Sequence, residues 1–225
     1  MKKKLYTLFA CAAVSAMVLG GCGGAATEEP ETDTPAVEQE QEEEAEAIVE
    51  DGSLPILSAE LQKLYTDAQF IYDQINFGAF AVSEEDKMTA NDLEYMKVVD
   101  ERFDSYDAFK AYLEQFFTKD FVEAKILNEG NIMFIKGEDG GLYTLGAGRG
   151  ENIYYAGHTF EVERETEKEI DFKATAYYVN SDKPYEGELF YTAPENADEY
   201  TTQEFKFILL NEDGTWKFDE FTLFY

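Results

Sequence analysis

Apolar residues recur at intervals of three and four along residues 61–75, where Leu61, Leu64, Tyr65, Ala68, Ile71, Tyr72 and Ile75 share one helical face. Ser58 stands before the first of them with a hydroxyl able to cap the helix. Residues 77–91 lose the period, carrying Gly78, Ser83 and the Glu84-Glu85-Asp86 cluster, and read as a loop. Residues 93–99 are short and apolar and read as a strand. Ser105 opens a second helix with Phe109, Tyr112, Leu113 and Phe116 inward, and Thr118 caps a third with Phe121, Val122 and Ile126. Beyond Asn128 the period falls to two. Alternation predicts strands over 131–136, 142–145, 158–165, 170–179, 187–192, 204–210 and 215–224, with Phe205, Phe207 and Leu209 on the face opposite Lys206, Ile208 and Leu210. Glu138-Asp139-Gly140-Gly141 and Asn211-Glu212-Asp213-Gly214 supply hairpin turns.

Helices first and antiparallel strands afterwards define an α+β domain, with the N-terminal helices packed on one face of a curved antiparallel sheet. That order is the one found in cystatin-like and NTF2-like rolls, whose concave sheet leaves a pocket under the covering helix. Residues 54–225 form one such domain, long enough to bury roughly 70% of its unfolded surface without staples.

The first 53 residues follow other rules. Lys2-Lys3-Lys4, an apolar run from Leu5 to Val18, and Leu19-Gly20-Gly21-Cys22 together have the form of a lipoprotein signal over residues 1–21, too short in its apolar part to span a bilayer. Cys22 is then the lipidation site, joined to a diacylglycerol and made the new N-terminus. The bilayer holds the chain through it, outside the cytoplasm of a bacterium. Residues 23–53 contain twelve Asp or Glu and no Lys or Arg. Such a segment buries too little apolar surface to offset its ordering entropy, so residues 22–53 are expected to form a disordered acidic tether. Its reach is roughly 100 Å when extended and about 30 Å as a flexible coil.

Charge narrows the partners. With 18 basic and 48 acidic residues the chain carries −30, and loss of the three signal lysines takes the mature form to about −33. Nucleic acid and anionic headgroups are repelled by such a surface, whereas a basic cell-envelope protein is attracted.

Catalytic chemistry finds little material. Cys11 leaves with the signal and Cys22 is taken by lipid, so the domain has no thiol nucleophile, disulfide or cysteine zinc ligand. His158 is the single histidine, at the start of an expected strand. It cannot form an H-E-x-x-H site, and no G-x-S-x-G elbow is present. Carboxylates abound, yet none is singled out as a glycosidase pair. Neither Asp-Gly turn continues as a calcium loop. The glycine-rich run 146–150 lacks the phosphate-loop pattern and reads as a mobile connection. No cofactor, metal or enzymatic activity is expected.

Aromatic residues carry the remaining signal. Tyr154 and Tyr155 beside the glycine run, and Tyr185 after Pro184, fall where strands connect. They belong either to the core or, if exposed, to an interface, where tyrosine anchors binding. With Arg149, a charge of the minority sign, they form the candidate partner-binding set.

A longer pattern overlaps these elements. Tyr95-Met96-Lys97-Val98, then Phe103 and Ser105, then Phe109, Tyr112, Leu113 and Phe116-Phe117-Thr118, lead to Ile132-Met133-Phe134-Ile135 and Asp139-Gly140-Gly141. This stretch, residues 94–143, resembles the DL-endopeptidase inhibitor family, secreted Firmicutes proteins that restrain NlpC/P60-type cell-wall hydrolases. The resemblance implies a non-catalytic protein whose partner is a peptidoglycan endopeptidase. The lipid anchor and acidic tether are additions to that pattern. A pocket between helix and sheet would instead suit a small-ligand or peptide receptor.

Overall fold

The computed structural model describes residues 51–225 apart from Glu129 and Asn131. The signal segment, Cys22 and most of the acidic tether therefore lie outside the described residues. Helix α1 (Ala59–Phe77) begins where Ser58 Oγ accepts the Leu61 amide, and ends at Gly78, whose φ of 64° provides the left-handed cap. Helix α2 (Tyr106–Leu113) is capped by Ser105, which accepts the Ala108 amide, and α3 (Lys119–Phe121) by Thr118, which accepts the Phe121 amide. The chain then widens into a π-helical turn, Val122–Ile126. All three caps are the residues that the sequence pattern indicates, because capping is decided by a side chain and an amide three residues away.

The structure is α+β, with two four-stranded antiparallel sheets where one curved sheet was expected. In the first, strands β1 (Val82–Ala90), β2 (Leu93–Val98), β3 (Phe134–Lys136) and β4 (Leu142–Thr144) run in the order β1-β2-β4-β3. Strand β1 occupies the stretch expected to be a loop. It is an edge strand, exposed from Glu85 to Lys87 and bulged between Ser83 and Lys87, so its residues never had to alternate. Asn91 and Asp92, at φ of 50° and 62°, join it to β2 by a two-residue turn with both positions left-handed.

The second sheet is a meander of β5 (Tyr155–Glu165), β6 (Glu169–Val179), β7 (Tyr200–Glu212) and β8 (Thr215–Glu220). Both expected hairpin turns are present, at 137–141 between β3 and β4 and at 213–214 between β7 and β8. The expected strand 187–192 contributes only an isolated bridge, Gly157 to Phe190. Here Gly157, at φ of 151°, lies so close to Phe190 that a Cβ would stand 2.0 Å from its carbonyl oxygen. The bridge therefore depends on glycine.

Helix α1 lays Tyr65 against the second sheet, with ring centroids of Phe160, Phe172, Phe207, Phe218 and Phe221 between 5.6 and 6.2 Å away. Beside the first sheet, Phe80, Phe103, Phe109 and Phe134 form a second group of edge-on and tilted rings. Phe117 contacts Phe218 and Phe221 on one side and Phe116 on the other, and Phe116 leads through Tyr112 to Phe103, so one continuous core results. The final residues run back across the second sheet, burying Phe221, Leu223 and Phe224, while Tyr178 donates to the Phe224 carbonyl at 2.5 Å. That path delivers the side chain of Tyr225 to the flank of α1. Among the described residues no helix is long and apolar enough to cross a membrane.

Candidate functional site

A cleft of about 620 Å³ opens where α1, the 145–154 connection, the 180–192 connection and the chain end converge. Its walls include Glu151, Tyr155, His158, Tyr185, Tyr191 and Tyr225. Tyr155 and His158, three residues apart, would face opposite ways on a regular strand. The bulge between Tyr155 and Gly157 turns them to the same side, where the Tyr155 hydroxyl meets His158 Nδ1 at 2.5 Å. With Nδ1 accepting, Nε2 carries the proton and donates to the Ser53 carbonyl at 3.3 Å. The His158 ring also packs edge-on against Phe160, Phe224 and Tyr191. Residues 51–53, expected as the end of the tether, thus lie against this wall, with Gly52 beside Tyr191.

Burial pushes the His158 imidazole down to about 4, so it is neutral at physiological pH. Between about 4 and the unfolded value near 6.5 only the unfolded chain takes up the proton, and stability falls as pH drops through this window. Acidification from about pH 7 to about pH 5 should remove about 2 kcal/mol through this residue. Asp73, whose carboxyl is raised by burial, acts in the opposite sense, which makes a variant comparison necessary. Urea unfolding at both pH values should show a steeper loss for the native chain than for His158→Gln. Equal slopes would exclude His158 as the source.

Tyr225 forms the opposite wall. Its hydroxyl donates to Asp73 Oδ1 at 2.6 Å and accepts from Gln69 Nε2 at 2.8 Å, and burial pushes its own ionisation upward. Tyr185 is half-buried, its amide donating to the Ile153 carbonyl and its hydroxyl to the Glu188 carbonyl, both at 2.8 Å. These contacts fix the rings of the cleft in place.

The other two sequence candidates lie elsewhere. Tyr154 is exposed and borders a shallow notch with Asn180 and Thr201. Arg149 is exposed, its guanidinium 5.4 Å from the Phe77 ring centre and its amide bonded to the Asn76 carbonyl at 2.8 Å. The neighbouring Gly148 lies against the Phe77 carbonyl group, where a Cβ would come within 2.2 Å. The glycine run expected to be a mobile connection is therefore docked on the end of α1 by a close backbone approach. The structure thus brings Tyr155 and Tyr185 together and leaves Arg149 and Tyr154 on adjoining surfaces. Tyr225, Gln69 and Glu151 were not singled out, because they reach the cleft from the chain end, the helix flank and the loop, and no local pattern joins them.

The hydrogen bonds of His158 go to the Tyr155 hydroxyl and the Ser53 carbonyl. Among the described residues no group of three or more His, Cys, Asp or Glu could hold a metal ion. The model of the IseA DL-endopeptidase inhibitor family matches residues 53–222. The chain belongs to this family. The match extends the resemblance from the 94–143 stretch to nearly the whole described domain, with every residue lining the cleft except Tyr225 inside it. A comparison with curated proteins gives no match. The family's role is to inhibit DL-endopeptidases, which makes a peptidoglycan DL-endopeptidase the implied partner of an IseA-type domain.

Proposed function

We propose that this IseA-family chain is a membrane-anchored, non-catalytic lipoprotein that binds a cell-wall DL-endopeptidase of the NlpC/P60 type and blocks it. The match over residues 53–222 carries the reading. Charge supports it: hydrolases that work on an anionic wall gain from basic surfaces, and a partner at −30 or below meets them with a complementary field that speeds association. Inhibition requires no chemistry from the inhibitor, only a surface that fills the enzyme's cleft and excludes peptidoglycan. The 145–154 connection, with Arg149 and Tyr154 exposed, is the segment we assign to that contact. Cys22 places the domain on the outer face of the cell membrane, in a bacterium of Gram-positive type.

The mature chain prepared without its lipid should slow fragment release from peptidoglycan by a purified NlpC/P60 endopeptidase, while releasing none itself. Release by the chain alone would overturn the reading. A second reading, an extracytoplasmic receptor for a small ligand or peptide, is favoured by the 620 Å³ cleft between helix and sheet. It predicts ligand binding with no effect on the hydrolase.

A further inference from the structure

The cleft has a one-sided chemistry that a contact through the exposed Arg149 and Tyr154 does not use. Its walls are the rings of Tyr155, Tyr185, Tyr191 and Tyr225, and among the described residues no Lys or Arg lines it. Glu151 is the ionised group among its lining residues, since His158 is neutral, and Asp73 lies behind Tyr225, accepting its hydroxyl. Arg149 borders a different notch and faces Phe77. Residues 54–225, the domain that holds this site, have 36 Asp or Glu against 15 Lys or Arg, a net −21. Aromatic faces and a carboxylate, in an acidic surrounding, attract a cation through ring quadrupoles and charge together.

Other occupants fit less well. An anion meets a carboxylate and the negative field. A saccharide needs free donors on the walls, yet the hydroxyl protons of Tyr155, Tyr185 and Tyr225 are already given to His158, the Glu188 carbonyl and Asp73, which leaves Tyr191 as the wall tyrosine that would have to serve. A purely apolar side chain would strip water from Glu151 without offering it a partner.

We propose that the tyrosine-walled cleft receives an arginine or lysine side chain of the partner protein, held over the rings and paired with Glu151. The inference rests on the inhibitor reading for the identity of the partner, and on the cleft alone for the chemistry. Arginine suits it best, because the planar guanidinium stacks on rings and pairs with a carboxylate at once.

Two measurements separate the two claims. In the first, the mature chain is titrated with capped Gly-Arg-Gly and with the same peptide carrying citrulline, a neutral shape match, while NMR shifts of the tyrosines are followed. The arginine peptide should bind about tenfold more tightly or better, and Glu151→Gln should remove that preference without changing the melting temperature. In the second, inhibition of the endopeptidase is compared for the native chain, Glu151→Gln, Tyr191→Ala and, as a charge-matched control in the exposed turn between β5 and β6, away from the cleft and the 145–154 connection, Glu167→Gln. Both cleft variants should weaken inhibition about tenfold or more. Equal binding of the arginine and citrulline peptides overturns the inference, as does undiminished inhibition by Glu151→Gln and Tyr191→Ala. Chito-oligosaccharide binding that Tyr191→Ala abolishes would also overturn it. If the native chain binds the arginine peptide but fails to inhibit the enzyme, the cation site stands and the inhibitor reading falls.

Discussion

Phe207→Ala should destabilise the domain by about 4 kcal/mol, a large part of the 5–15 kcal/mol typical of a folded domain. Phe207 is fully buried in β7. Its ring stacks on Phe172 with centroids 4.8 Å apart and planes 1° from parallel, and meets Phe221 edge-on at 5.3 Å and Tyr65 at 5.9 Å. Alanine would leave a cavity under α1 that this ring cluster could not close without moving the helix. Phe205, two residues earlier on the same face, is only half-buried and tilts against Phe224. Its truncation should cost about 1 kcal/mol. Trp216, the single tryptophan, packs against the core from β8 and reports unfolding by fluorescence in urea. Equal losses at Phe205 and Phe207 would mean that burial along β7 does not rise toward its centre as the structure has it.

Much of that core was legible. Alternation along β7 assigns Phe207 and Leu209 to one face, and both are fully buried, while Lys206 opposite them is exposed and Ile208 half-buried. Caps at Ser58, Ser105 and Thr118 were legible because the interaction spans three residues. Strand β1 was not, because an exposed edge strand has one neighbour and no buried face to impose a period. The clue to it was the turn: Asn91-Asp92 tolerates positive φ at both positions, and such a pair predicts a two-residue hairpin even between polar segments. The partition into two sheets was also hidden. Alternation shows that a strand has two faces, and leaves open which strand lies beside it.

The site divides along the same line. Tyr155 and Tyr185 stood out because tyrosines at strand ends are conspicuous, and the structure places both in the cleft. What local reasoning could not supply was the bulge at Tyr155–Gly157 that turns Tyr155 toward His158, or the return of the last residues that brings Tyr225 against Gln69 and Asp73. The bulge is set by pairing with β6, and the return by packing between elements far apart in sequence, as the 152-residue separation of Tyr225 and Asp73 illustrates.

Replacing Cys22 by alanine should abolish lipid attachment altogether. The apolar run from Leu5 to Val18 has 14 residues, short of the roughly 20 needed to span a bilayer as a helix. In the proposed reading, stable anchoring comes from acyl chains. Two of them, at about 0.8 kcal/mol per buried methylene, supply on the order of 20 kcal/mol and hold the protein on the membrane without further contact. Cells fed labelled palmitate should therefore label the native chain and the Cys11→Ala variant, and leave Cys22→Ala unlabelled. Label, rather than position in a membrane fraction, is the decisive readout, because an uncut Cys22→Ala precursor keeps its apolar run. Persistent label on Cys22→Ala would refute lipidation at this residue. On the proposed anchor, the one-sign charge of residues 23–53 is expected to repel the anionic wall and membrane. Inhibition would then be confined to enzymes within roughly 100 Å of the membrane surface, and a Cys22→Ala chain that escapes the cell should act on enzyme farther out in the wall.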